Sequence, residues 1–200
     1  MGSKERRERE KESLRQEILD AAREMFVSEG YENVSMRKIA ERIEYSPTTI
    51  YLYFEDKAAI FESLCDETFA KLIEKQEALA KKHRDPLIRL RECGRAYIHF
   101  GLEHPNHYRV AFMQPHSLGE QRSFEETMGY RAFSFLRANV EECVREKKFR
   151  RIDVDLASQA IWAATHGLTS LLITHGDFPW AEREKLIDFM LQNLVASLKP

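Results

Sequence analysis

Apolar residues return every three or four positions along almost the whole chain, and little interrupts them. Eight glycines and six prolines are spread over 200 residues, mostly where an apolar stripe ends. No run alternates apolar and polar residues between turn signals, so the period is that of helices and the fold class is all-α. In LRQEILDAAREMFVSEGYENV, Ile18, Ala21, Ala22, Met25 and Phe26 recur at i, i+3, i+4, i+7 and i+8, the stripe of an amphipathic helix. Gly30 stops it as a glycine beyond a helix end does. Ser35 is placed to cap MRKIAERI, whose Ile39, Ala40 and Ile43 face inward. Ser46 is placed to cap a third helix with Pro47 in its first turn, where a missing N–H costs nothing. A longer pattern from about 56 to 82 carries Ile60, Leu64, Phe69, Leu72 and Ile73. Four or five more helices follow, separated at Asp85-Pro86, His104-Pro105-Asn106, QPHSLGE (114–120) and HGDFPW (175–180). The expected organisation is a charged arm over 1–13, a three-helix unit over 14–57 and a larger helical bundle over 58–200.

Composition narrows what such a chain does. A hydrophobic content of 43% supports a core, and a net charge of −2 gives no global attraction to nucleic acid. Cys65, Cys93 and Cys143 are odd in number and lack CxxC spacing, which suggests neither a disulfide framework nor a zinc site. No apolar run approaches the ~18 residues that span a bilayer, and the charged start MGSKERREREKESLRQ is unlike a secretory signal. A cytoplasmic protein away from membranes is expected.

The segment YSPTTIYLYFEDK, residues 45–57, is rich in hydroxyls for a short helix with one buried side. A tight turn between the second and third helices describes a helix-turn-helix, with 46–54 as its recognition helix. At 100° per residue, Ile50 and Phe54 lie within about 40° of each other and anchor inward, leaving Thr48, Thr49, Leu52 and Tyr53 outward and Tyr51 at the edge. Threonine and tyrosine hydroxyls donate to phosphate oxygens, and their apolar parts meet thymine methyls. The outward face is that of a DNA-binding surface.

SMRKIAERIEYSPTTIYLYFEDKAAIFESL resembles the helix-turn-helix of the tetracycline-repressor (TetR) family in its combination of Ser35, Ile39-Ala40, Ser46, Tyr51, Phe54 and Lys57. The resemblance covers about 14–64. It implies DNA contacts from Ser35, Arg37, Ser46, Pro47, Thr48, Thr49, Tyr51, Tyr53 and Lys57. It also implies a homodimer on a double-stranded palindromic operator, acting as a repressor that a small molecule releases, without a cofactor. Two positions depart from the family pattern. Glu44 stands where the turn usually has glycine, at a cost of roughly 1 kcal/mol if the backbone is left-handed, and Tyr45 replaces an apolar residue. Residues 1–57 hold 11 Lys/Arg against 13 Asp/Glu, so the basic charge is local. Lys4, Arg6, Arg7, Arg9 and Lys11 make either an arm that reaches the minor groove or a disordered or frayed helical extension with mixed charges.

The remaining bundle carries a second stretch of interest. DLASQAIWAATHGLTSLLI, residues 155–173, is apolar or small on nearly every face and is expected to be buried all round. Its Trp162, His166 and Gly167 resemble a TetR subgroup marked by Trp, His and Gly. The last helix has a wide apolar face, and the resemblance puts a four-helix dimer interface there, with Leu168, Leu172, Leu186, Phe189, Met190 and Leu194. Tyr97, Phe100, Tyr108, Phe112, Phe133, Trp162 and His166 are the candidates to line an effector pocket. His99, His104, His107 and His116 match no metal-site spacing, so no metal is expected. GLTSL is not a nucleophile elbow, and neither a phosphate-binding glycine loop nor HExxH occurs; an enzyme is not expected. A helical dimeric adaptor that acts through protein partners explains the dimer face but not the hydroxyls of the third helix.

Overall fold

The computed structural model describes residues 3–113 and 123–200. The separator expected at 114–120, with His116, lies outside the described residues. Nine α-helices are found among those described: α1 Ser3–Glu29, α2 Met36–Arg42, α3 Pro47–Tyr51, α4 Lys57–Lys82, α5 Pro86–Glu103, α6 Pro105–Tyr108, α7 Met128–Arg145, α8 Val154–Thr174 and α9 Arg183–Ser197. The all-α expectation holds. Side-chain caps set most of the starts. Ser35 Oγ accepts from the Lys38 N–H at 3.3 Å and Ser46 Oγ from the Thr49 N–H at 3.2 Å. Asp56 accepts from Ala59 at 2.8 Å, Asp85 from Leu87 at 2.8 Å and Asp153 from Leu156 at 2.9 Å. Gly30 ends α1 with φ +83°, which only glycine adopts freely.

The chain forms two compact units. The first comprises Met1–Thr68 and Asn106–Ser123, the second Phe69–Pro105 and Phe124–Pro200. The first therefore runs past residue 57 into α4 and takes in a later segment, which no sequence periodicity could announce. Its core gathers Ile18, Ala22 and Phe26 of α1, Ile39 of α2, Ile50 of α3, Ile60, Phe61 and Leu64 of α4, and Val110. Phe26 meets Phe61 edge-on with centroids 5.6 Å apart, and Tyr31 does so at 5.0 Å. Burying Ile50 contributes about 1.5–3 kcal/mol and fixes the rotation of α3.

In the second unit α5 packs on α7, α8 and α9. Leu90, Val140, Cys143, Phe149, Ala157, Ile161 and Val195 form one core cluster. Gly94 lets α9 approach closely, since a Cβ there would lie 2.7 Å from Leu191 Cδ2. Arg89 donates to Asn139 Oδ1 at 2.9 Å and also pairs with Glu142, tying α5 to α7.

Two expectations are corrected. The recognition helix ends at Tyr51 rather than 54, because Leu52 caps it and the chain turns to bury Phe54. Helix α8 is not buried all round: Leu156 is 69% exposed, and Trp162 and Leu171 are exposed too. Its inner side holds Ser158, Thr165 and Thr169, whose hydroxyls donate to carbonyls four residues back at 2.6, 2.9 and 2.7 Å. Hydroxyls satisfied in this way can be buried, so polarity does not mark the outer face of this helix.

Candidate nucleic-acid interface

Helix α2 ends in a left-handed turn. The Tyr45 N–H donates to the Ala40 carbonyl at 3.0 Å and the Glu44 N–H to that of Glu41 at 3.3 Å, the paired bonds of a Schellman ending. Glu44 takes the residue position that needs φ above zero, at +61°. The turn keeps its geometry despite the missing glycine, at the cost of a strained residue. Ser46 then starts α3, and its hydroxyl also lies 2.9 Å from that of Thr49.

Ile50 and Phe54 are buried, which turns the rest of α3 outward. Pro47 and Thr48 are exposed, Thr49 and Tyr53 are half-buried, and Tyr51 is 55% exposed. Ser35 and Arg37, at the start of α2, are exposed as well. Two apolar side chains join this surface: Leu52, 75% exposed, and Tyr45. Neither was among the expected contacts, although the outward position of Leu52 was legible from its angle to Ile50.

The cations of this region are engaged within the chain. Arg37 pairs with Glu41 at 2.9 Å, Lys38 with Glu29 at 2.8 Å and Arg42 with Glu24 at 3.3 Å. Lys57 is half-buried; its ammonium donates to the Tyr31 carbonyl at 2.8 Å and sits 4.1 Å from the Tyr31 ring centroid. Exposed pairs such as Arg37–Glu41 are weak and yield readily to a phosphate. The double hold on Lys57 is stronger, and gives that residue a structural role in fixing the start of α4 against the end of α1.

The expected effector residues fall in different units. Tyr108 is fully buried and stacks on Phe112 with centroids 4.6 Å apart, both in the first unit. The other five belong to the second. There the Tyr97 hydroxyl lies 3.4 Å from His166 Nδ1, Phe133 lies 5.8 Å from Trp162, and Trp162 lies 6.4 Å from His166. Phe100 is buried beside His104. Burial holds the His166 imidazole below its ordinary pKa. An open groove of about 840 Å³ lies instead in the first unit, between α1 and the end of α2. Arg9, Glu12, Glu17, Asp20, Glu24 and Arg42 line it together with Ala21 and Ile43, and so many charged groups at an open surface suit water better than an apolar effector.

Of the expected dimer residues, Phe189 is 67% exposed, while Leu168, Leu186, Met190 and Leu194 are half-buried. Leu172 is buried within the chain, which corrects its assignment. The neighbouring Leu171 faces outward, on a ridge with Leu156, Ala160, Ala163 and Gly167. Among the described residues no three metal-ligating side chains cluster, and no helix is long and apolar enough to cross a membrane. Burial pushes the thiols of Cys65 and Cys143 up to about 12 and that of Cys93 to about 11, so all three stay protonated and unreactive near neutral pH.

Residues 18–64 match the family of bacterial regulatory proteins called tetR, and residues 90–194 match a tetracyclin repressor-like C-terminal domain. The chain belongs to the TetR family. It is a DNA-binding transcriptional regulator with a helix-turn-helix, and not an enzyme.

Curated relatives of this TetR-family chain include the nucleoid occlusion factor SlmA of Klebsiella pneumoniae. It is 25% identical over 169 residues, which cover 82% of this chain and 84% of that one. SlmA of Vibrio cholerae is 26% identical over 137 residues, 68% and 69% of the two chains. The fold is shared with FadR of Bacillus subtilis in complex with stearoyl-CoA, at a TM-score of 0.78 and 22% identity, covering 92% of this chain and 98% of that one. It is also shared with PfmR of Thermus thermophilus, at a TM-score of 0.71 and 23% identity, covering 92% and 96%.

Proposed function

We propose that this TetR-family regulator is a cytoplasmic homodimeric repressor that binds a palindromic operator and leaves it when a small molecule binds its C-terminal unit. The observation that carries the DNA side is the outward face of α3, where Thr48, Thr49 and Tyr51 stand exposed or half-exposed around a buried Ile50. Side chains that combine hydroxyls with apolar surface suit phosphates and thymine methyls together. In this reading Arg37 and Thr49 read bases, while Ser35, Ser46, Pro47, Thr48, Tyr51, Tyr53 and Lys57 fix the register on the backbone. Lys57 does so through its hold on Tyr31 as much as through a phosphate.

The functional division follows as 14–57 for DNA, with 58–200 for effector and dimer. Leu171, Leu156 and Phe189 are apolar side chains left uncovered in one chain, and a second copy covers them. Tyr97, Phe133, Trp162 and His166 face the effector, in a C-terminal unit of the Trp-His-Gly kind. Phe100 of the second unit, and Tyr108 stacked on Phe112 in the first, are further candidates for the effector. Helix α4, about 39 Å long at 1.5 Å per residue, has residues in both units. A tilt of about 5° over that length moves one end by ~3.4 Å, enough to misplace a recognition helix. The effector needs only to prefer the tilted state, and operator and effector then oppose each other by the same factor.

Acyl-CoA thioesters are the first effectors to try, since a neighbour in fold is described with stearoyl-CoA. The decisive experiment is a mobility-shift titration of DNA upstream of the protein's own gene, with and without stearoyl-CoA and then compound mixtures. A shift that an effector reverses is expected. Equal affinity with and without a ligand whose binding is proven by thermal shift would remove the release mechanism. A second reading is a helical dimeric adaptor that acts through protein partners, favoured by the exposed Leu156, Leu171 and Phe189. It predicts no specific shift of the upstream DNA.

A further inference from the structure

The helix-turn-helix has few cations to spare. From Arg37 to Lys57 every lysine and arginine holds a partner in the chain, as described above. Association with DNA still needs positive charge that can exchange with counterions. Exposed pairs can supply it once they open, but among the described residues of the first unit the cations with no partner to give up lie in one place.

Helix α1 starts at Ser3, so the described part of the charged N-terminal segment is helical. Residues 4–15 carry six cations and four carboxylates, and the helix sorts them. Arg6 pairs with Glu10 at 2.7 Å, and Arg9 and Glu5 also have partners. Lys4, Arg7 and Lys11 have none among the described residues and are exposed. Spaced three and four apart, they form one ridge along the helix. Arg15 continues it, and its guanidinium lies 5.3 Å over the Phe54 ring and 3.4 Å from Glu67. That contact aligns the ridge with the corner joining α3 to α4. Asp20 and Glu24, on the opposite side of α1, border the groove beside Arg42. The cations without partners thus line the side of α1 that faces the corner joining α3 to α4, opposite Asp20 and Glu24.

We infer that Lys4, Arg7 and Lys11 form a second DNA contact, a phosphate-binding ridge that lengthens the footprint of the helix-turn-helix along the duplex backbone. The ridge reaches about 16 Å beyond Arg15 at 1.5 Å per residue. It supplies attraction that is independent of base sequence, while α3 supplies the reading. Glu8 and Glu12 beside the ridge keep it from binding anions tightly off DNA. The inference rests on the DNA-binding reading above, and its test is kept separate from operator choice.

The probe is a mixed-sequence 30-bp duplex without an operator, titrated by fluorescence anisotropy between 50 and 200 mM salt. The full-length protein is compared with the triple variant Lys4→Ala/Arg7→Ala/Lys11→Ala and with the control Arg6→Ala/Arg9→Ala, whose cations are already paired. Circular dichroism checks that helicity is kept. The triple variant is expected to lower the slope of log K against log salt by up to about 2.7 per bound chain, and the control by much less. An unchanged slope in the triple variant, or an equal loss in both variants, overturns the ridge and leaves DNA binding standing. If no variant, the unaltered protein included, binds the duplex in a salt-dependent way, the DNA-binding reading fails and the ridge fails with it.

Discussion

The face of α3 in the first unit and the outer side of α8 and α9 in the second both expose more than a solvated surface needs, but with opposite chemistry. Helix α3 is five residues long and shows hydroxyls and tyrosine rings around one buried isoleucine. Helices α8 and α9 expose the large apolar side chains Leu156, Leu171 and Phe189, the last beside Lys185, Gln192 and Asn193. A surface that meets a hydrated polyanion can stand open in water at small cost. A surface that meets another protein needs contiguous apolar area, and left open it attracts a second copy. In the function proposed above, the difference separates the partner of each region: DNA for the first, the same chain for the second.

The largest expected effect breaks the second half of that comparison. Phe189→Asp together with Leu171→Asp should convert dimers to monomers in sedimentation, because a carboxylate buried without a partner is strongly unfavourable. Operator affinity should fall by about 10²- to 10⁴-fold as the two half-sites lose their linkage. A dimer that survives would move the interface elsewhere. Next, Ile50→Ala should cost about 2–4 kcal/mol in denaturant unfolding of the first unit, because it removes the anchor that aims α3. Third, Thr49→Ala or Arg37→Ala should relax sequence preference by about 1–3 kcal/mol in competition binding if a base contact is lost. Unchanged preference in both would return α3 to a purely positioning role.

Most of the first unit was legible because its signals are local. Ser35, Ser46 with Pro47, and Gly30 each act on their own turn, and the structure finds all three where the pattern put them. The end of α3 was misjudged by three residues because Phe54 is buried by the chain's turn and not by continued helix. The outer face of α8 was not legible for a different reason. With apolar or small residues all round, the helix carries no amphipathic direction, and burying Leu172 rather than Leu171 is decided by packing against α5 and α7. The partners of the cations were equally hidden, since Lys57 on Tyr31 spans 26 residues of sequence.

Smaller effects sharpen the picture within each unit. Glu44→Gly should stabilise the protein by about 1 kcal/mol in thermal unfolding, because it relieves the left-handed strain at φ +61°. Helix α3 should keep its place. His166 gives a pH signature. Its pKa is lowered in the folded state by burial, so the unfolded chain binds the proton more readily. Stability contributed by the neutral ring is present above the ordinary imidazole range and is lost as pH falls through about 6.5 and below. His166→Gln should remove that part of the pH dependence in unfolding curves. A variant with the same pH profile as the original protein would assign the acid sensitivity to other groups.

Helix α3 is proposed to read DNA for a two-fold symmetric dimer. Selection from a randomised duplex pool, followed by sequencing, tests it most directly. Enrichment of an inverted repeat is expected, with half-site centres about 34 Å, or one helical turn, apart, or a multiple of that spacing. Thr49→Ala should change the enriched bases without abolishing binding. A pool in which no motif is enriched, or a single asymmetric motif that Thr49→Ala and Arg37→Ala leave unaltered, would contradict it.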